Sequence, residues 1–215
     1  MQSLHFCNGC SFRYPVHVAE PTGRRERNKR ERRRRLEDAA LELFEREGFD
    51  KTTIEQIAVE AELAPRTFFS YFATKDDLVL ADYSERLERI LTELEQRPED
   101  EPAWDALRAS FAAVAADYES EHDRIRRRFT IMASNPSVFA RSLHLQAGWE
   151  QALTQRLTTR LGARADDPAP RLLAATALAV MRASLQHWLT TPHTPALPAL
   201  VQSGFDQLAS GLGTH

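Results

Sequence analysis

The sequence predicts an all-α protein, with a three-helix head containing a helix-turn-helix followed by a larger helical body. Three observations carry this reading. Apolar residues recur at helical spacing through most of the chain, no segment alternates convincingly as a strand does, and glycines and prolines punctuate the gaps between apolar runs. At 215 residues the chain suits one compact domain or two small ones. Charged residues at 27% beside apolar residues at 42% exclude a disordered polyelectrolyte, and 8 glycines exclude a collagen-like chain.

The longest nearly apolar stretch, Leu172 to Met181, falls well short of the about 20 residues a bilayer crossing needs. The first twenty residues lack the basic start, apolar block and cleavage site of a secretory signal, so no membrane partner and a cytoplasmic location are expected. Cys7 and Cys10 form an isolated Cys-x-x-Cys without further zinc ligands or a βαβ context, and read as incidental thiols. Residues 1–23 are expected to be a disordered extension.

Charge is unevenly spread. Between Arg24 and Arg35 there are nine basic and two acidic residues, a net +7, whereas from Asp77 onward 18 acidic residues outnumber 14 basic ones. A cationic end on a mildly acidic body is the footprint of a nucleic-acid-binding head. Taken alone, the run is equally compatible with a solvated basic segment or a polybasic membrane-surface patch.

The elements follow in order. Leu36, Ala40, Leu43 and Phe44 give helix one an apolar stripe, and Gly48 supplies its left-handed stop. Thr52 and Thr53 each stand at capping-box distance from an acceptor, Glu55 and Gln56, so either can open helix two, which carries Ile54, Ile57, Ala58 and Ala61. After Glu62, Leu63 and Ala64, Pro65 opens a third helix expected to run to Phe72. Two short helices joined by a tight turn behind a supporting helix make a helix-turn-helix. Phe68 and Phe72, four apart, should point into the three-helix core.

The body is expected to open with one long helix from about Asp76 to Gln96, broken by Arg97 to Pro102. Further helices are read at 103–118, 123–134, 137–161, 167–189 and 197–212.

The segments Asp38-Ala-Ala-Leu-Glu-Leu-Phe, Thr52-Thr-Ile-Glu-Gln-Ile-Ala and Thr67-Phe-Phe-Ser-Tyr-Phe-Ala-Thr-Lys-Asp-Asp-Leu resemble the DNA-binding head of the TetR family of bacterial regulators, over about fifty residues without a gap. The resemblance implies a homodimeric helical repressor whose body binds a small molecule and thereby releases double-stranded DNA. It divides the chain into a head with a basic arm at 24–75 and a ligand-binding and dimerisation body at 76–215. A two-fold dimer would read a pseudo-palindromic operator.

In a helix-turn-helix the start of the second helix meets base edges, which points to Pro65, Arg66 and Ser70, with Arg66 alone carrying the bidentate fork suited to guanine. By similarity to the motif, Thr67, Tyr71 and Lys75 would touch phosphate, and Thr53 can cap helix two while donating to phosphate. The arm residues Arg24, Arg25, Arg27, Lys29, Arg30, Arg32, Arg33 and Arg34 could enter an A·T-rich minor groove or simply attract phosphates. Three departures from the family pattern stand out: Glu62 where glycine is usual, Ala64 where a capping serine or threonine is common, and Phe69 where tyrosine is common.

Arg126-Arg-Arg-Phe-Thr-Ile, Trp149-Glu-Gln-Ala-Leu, Arg171-Leu-Leu-Ala-Ala and Arg182-Ala-Ser-Leu-Gln-His-Trp-Leu also resemble the C-terminal domain of actinobacterial mycofactocin-type regulators, which implies an acyl-CoA-like effector. Phe111, Phe129, Met132, Trp149, Leu153, Met181 and Leu185 are candidates for its cavity, though ordinary core residues share that spacing. Arg126, Arg127 and Arg128 could meet a CoA phosphate or face water. The alanine-rich last two helices correspond to the family's dimer bundle. No phosphate-binding glycine loop, nucleophile elbow or His-Glu-x-x-His occurs, so no enzyme, cofactor or metal is expected. A helical interaction protein whose basic arm binds an acidic partner or a membrane surface remains the alternative.

Overall fold

The computed structural model describes residues 21–211. Cys7, Cys10 and most of the expected extension lie outside them, while Pro21 to Gly23 already belong to the first helix. Among the described residues there are ten helices and no strand: α1 (Pro21–Glu47), α2 (Ile54–Glu60), α3 (Pro65–Phe68), α4 (Lys75–Val79), α5 (Tyr83–Glu95), α6 (Ala103–Glu119), α7 (His122–Ser134), α8 (Pro136–Leu161), α9 (Ala169–Thr190) and α10 (Leu197–Ala209).

The local signals act as their chemistry requires. Gly48, at φ 92°, ends α1, and Gly162, at φ 57°, ends α8. Of the two threonines, Thr53 caps α2: its Oγ1 accepts the Gln56 N–H at 3.2 Å, and its own N–H donates to Gln56 Oε1 at 2.7 Å. Thr52 is buried, and its hydroxyl donates to the Gly48 carbonyl at 2.9 Å. Glu62 takes the left-handed conformation, at φ 53°, that its position in the turn demands. Its carboxylate meets Arg35 at 2.8 Å, in a pair too exposed to offset much strain.

Two helices differ from expectation. The regular part of α3 is only four residues long: Ala64 offers it no side-chain cap, and the chain beyond Phe68 tightens into i→i+3 bonds such as Tyr71 N–H to Phe68 O at 2.9 Å. The long connecting helix is instead broken at Leu80–Asp82 into α4 and α5. There the Ala81 carbonyl accepts from Arg33 Nη2 at 2.6 Å, a partner from α1.

The head and the body do not have separate interiors. Leu36, Leu41, Phe44, Ile57, Phe68 and Phe72 form one core, into which Ile131 of α7 and Val138 of α8 are packed. Phe68 and Phe72 thus fill the role expected of them, with rings 5.7 Å apart. The second core gathers α5, α6, α8, α9 and α10 around Phe111, Leu153, Leu157 and Phe205. Gly204 lets α10 close on α9, since a Cβ there would lie 2.7 Å from Val180 Cγ1.

Replacing Glu62 by glycine removes the left-handed strain and one exposed ion pair. Glu62→Gly should raise the free energy of urea unfolding by about 0.5–1 kcal/mol, and an unchanged or lower midpoint would show that the turn carries no such strain.

Candidate nucleic-acid interface and body cavity

The head presents a polar, cationic surface. Pro65, Arg66 and Ser70 are all exposed around α3, and Thr67 and Tyr71 are half-buried beside them. Arg66 joins no ion pair among the described residues, so its fork is open to an acceptor. Thr53 is exposed, and its capping contacts use its oxygen as acceptor and leave the hydroxyl proton available. Phe69 stands on the same segment with 61% of its surface exposed.

Lys75 has a structural task that the spacing did not reveal. Its ammonium donates to the carbonyls of Phe49 and Thr52, both at 2.8 Å, and sits 4.7 Å from the Phe49 ring centre. Two of three protons are thereby spent on the loop before α2, and one remains for an outside acceptor.

The basic arm is helical, being the first turns of α1. Arg24, Arg25, Arg27, Lys29, Arg30 and Arg32 are exposed along it. Arg33 departs from the arm role: it pairs with Glu37 at 3.0 Å and with Glu85, and it holds the Ala81 carbonyl, tying α1 to the body. Arg34 lies 3.8 Å from Asp38, and Arg35 serves Glu62. Their carboxylate partners lie within reach on α1 itself and in the turn, which a count of basic residues cannot weigh.

On the other side of α1 the body supplies a ladder of arginines from α7. Arg128 Nη2 donates to Glu37 at 2.8 Å, Arg124 also grips Glu37, and Arg127 meets Glu45 at 2.7 Å. Arg127 is thereby held to the head, Arg128 holds Glu37 while also lining a cavity behind it, and Arg126 is exposed near Asp123 at 3.7 Å. Burial pushes the Glu37 carboxyl above its ordinary range, and the charge of Asp82 adds to the rise against the pull of Arg128, Arg124 and Arg33.

Behind this junction lies a cavity of about 620 Å³, within the size range of small-molecule sites. Five of the seven candidates line it: Phe129, Met132, Trp149, Met181 and Leu185. Phe111 and Leu153 do not. Both are wholly buried in the second core, Phe111 lying 6.0 Å from the Phe205 ring. Their spacing matched that of cavity residues, but their side chains meet α10 and the core instead of the void.

Polar residues in the same wall were not anticipated. Asp82, Tyr83, Arg86, Tyr118 and Gln146 line it on the inner side, and Arg182 and Gln186 are exposed members. Arg86 stacks 3.6 Å from the Tyr118 ring centre and meets Asp82 at 3.1 Å. An Asp82/Arg86 pair four residues apart was the available sequence signal. Burial raises the Tyr83 and Tyr118 phenols, keeping them neutral donors. At Asp82 burial works upward too, but Arg128 and Arg86 outweigh it and hold the carboxyl below its ordinary value.

Comparison with known proteins fits this geometry. Residues 36–81 match the family described as bacterial regulatory proteins, tetR family, and residues 101–213 match the MftR C-terminal domain. The chain is 32% identical to a Mycobacterium tuberculosis protein described as a mycofactocin biosynthesis transcriptional regulator, MftR, over 82% of this chain and 89% of that one. It is 34% identical to the HTH-type transcriptional regulator TcmR of Streptomyces glaucescens, with 86% of each covered. The Thermus thermophilus repressor FadR, solved with lauroyl-CoA, superimposes with a TM-score of 0.56 at 22% identity, covering 85% of this chain and 96% of FadR. No helix among the described residues is long and apolar enough to cross a membrane.

The depressed Asp82 value fixes a pH dependence. Its contribution to stability is complete above the ordinary aspartate value of 3.8 and is lost as the pH falls through the lower folded value. Asp82→Asn should therefore flatten the acid limb of a urea-stability profile below about pH 4. At neutral pH it should cost about 2–3 kcal/mol, less than a fully dry pair because the Asp82 side chain is 20% exposed. An acid limb identical to that of the parent chain would refute the assignment.

Proposed function

Because the chain belongs to the TetR family of bacterial transcription regulators, we propose that it is a homodimeric repressor of a pseudo-palindromic operator, released by a small hydrophobic or acyl-CoA-like effector. In this reading residues 24–75 are the DNA-reading head and 76–215 the effector and dimer body, although the head core also takes in Leu78 to Ala81, Ile131 and Val138.

One observation carries the reading: Arg128 lines the cavity and at the same time holds Glu37 on α1 of the head. A ligand that displaces Arg128 or Asp82 changes the seating of the reading head, which is the differential contact that a ligand-controlled switch requires. The apolar wall of Phe129, Met132, Trp149 and Met181 favours a hydrophobic effector. The lauroyl-CoA held by the Thermus FadR makes acyl-CoA the first compound to offer.

On the DNA side, Arg66 would read guanine through its open fork, with Pro65 and Ser70 beside it. Thr53, Thr67, Tyr71 and the third proton of Lys75 would hold phosphate. The helical arm, Arg24 to Arg32, would run along the backbone as a cationic rod. Dimerisation would use the outward face of α9, where Leu172 is 63% exposed and Ala179 and Ala183 are also uncovered. Ala174 and Ala177 serve the chain's own core instead.

The deciding experiment is a footprint on the DNA adjoining the gene, with and without lauroyl-CoA. Protection of one palindromic site, lifted by the ligand, supports the repressor. Equal affinity for cognate and scrambled duplex identifies a generic basic binder. Arg66→Ala should relax preference at one base position by about 1–3 kcal/mol, and equal losses on both duplexes would remove its base-reading role. With Arg33 to Arg35 committed elsewhere and the remaining cations spread around a helix, about three phosphate contacts per head are expected from the arm. Removing residues 1–32 should then lessen the slope of log affinity against log salt by about 2.7 per head.

A further inference from the structure

One group on the inner wall of the cavity is incompletely satisfied. Arg128 is 6% exposed and lines the void; its Nη2 donates to Glu37 and its Nη1 forms an ion pair with Asp82 without a directed hydrogen bond, and its Nε–H has no partner at all. A buried charged donor without an acceptor is unfavourable, and native proteins rarely leave one without cause.

The charge around it is one-sided. The guanidiniums of Arg33, Arg86, Arg124 and Arg128 converge on the carboxylates of Glu37 and Asp82. The further carboxylates that meet Arg33, Arg86 and Arg124, which are Glu85, Glu121 and Asp38, have side chains 64%, 48% and 49% exposed and lie toward solvent. Of these groups Asp82, Arg86 and Arg128 line the cavity, so its polar wall carries two guanidiniums against one carboxylate, while Phe129, Met132, Trp149 and Leu178 make other parts of the cavity apolar.

We infer that this wall is a carboxylate subsite: the effector is a compact apolar acid that enters with its anionic oxygen foremost and accepts the Arg128 Nε–H. The inference rests on the cavity being the effector site and takes the small hydrophobic effector over the acyl-CoA-like one, adding the chemistry and the orientation of the ligand. An acyl tail entering methyl-first would leave Nε dry and lay hydrocarbon against the guanidiniums of Arg86 and Arg128. A carboxylate supplies a charge-assisted bond there. It also competes with Glu37 for Arg128, so ligand charge acts directly on the tie to the head.

The test compares decanoate with 1-decanol, matched in chain length, by calorimetric titration of the full chain at neutral pH. Decanoate should bind at least about tenfold more tightly than the alcohol. Arg128→Lys keeps a positive charge for Glu37 and Asp82 but removes Nε–H, and should bring the two ligands within about twofold of each other. Leu178→Trp fills the cavity and should weaken both. Equal affinity of the parent chain for the two ligands, or a preference that survives Arg128→Lys, overturns the subsite. If Leu178→Trp still abolishes binding, the effector cavity itself stands. Binding indifferent to Leu178→Trp, or no binding of either ligand, overturns the subsite along with the placing of such effectors in this cavity.

Discussion

A guanidinium held between a carboxylate of the head and a carboxylate of the body is the constraint on which the arrangement of the two parts depends. Arg128 comes from α7, Glu37 from α1, and Asp82 from the break between α4 and α5. Such a network adds little net stability compared with an apolar contact of the same volume, but losing one member leaves a buried charge uncompensated. Its effect is therefore on orientation more than on folding energy. The apolar contacts of Ile131 and Val138 with the head core hold the parts together. The charged triplet joins α1, the α4–α5 break and α7 across that seam.

Much of this was legible in the residues. Helical spacing found the helices because each must bury one stripe, and Gly48 and Gly162 marked ends because their left-handed backbone excludes most other residues. The break at Leu80–Asp82 could not be read locally. The carbonyl that it frees at Ala81 is taken by Arg33, 48 positions earlier. Phe111 and Phe129 illustrate the same limit, since both lie on amphipathic helices at core spacing, and only the packing of α10 against α6 decides that the first is enclosed and the second borders a void. Glu62 was recognisable as an odd residue in its turn; that it accepts φ 53° required the backbone.

The arginines show why counting charge is not enough. A run from Arg24 to Arg35 looks uniform in sequence, yet it divides where acidic partners begin. Arg33 to Arg35 find Glu37, Glu85, Asp38 and Glu62, whereas Arg24 to Arg32 extend along a helix with exposed heads. The three arginines at 126–128 divide likewise, by helical position: Arg128 turns inward, Arg127 reaches α1, and Arg126 faces water. Chemical identity is shared in each set. Geometry assigns the work.

Any compound that reaches the cavity meets a wall already linked to the reading head, and this limits what the compound can do. A ligand shifts an equilibrium only by the difference in its contacts with the two states. Phe129, Met132 and Trp149 offer contacts that need not change when the head moves, so a purely apolar filler gains affinity without much leverage. Asp82 and Arg128 are different, because Glu37 shares Arg128. Whatever neutralises or draws away that guanidinium alters the head's seating through contacts a few ångströms long. The apolar wall can add affinity alone, whereas the Asp82–Arg128–Glu37 chain would add both affinity for an anionic ligand and a pull on the head.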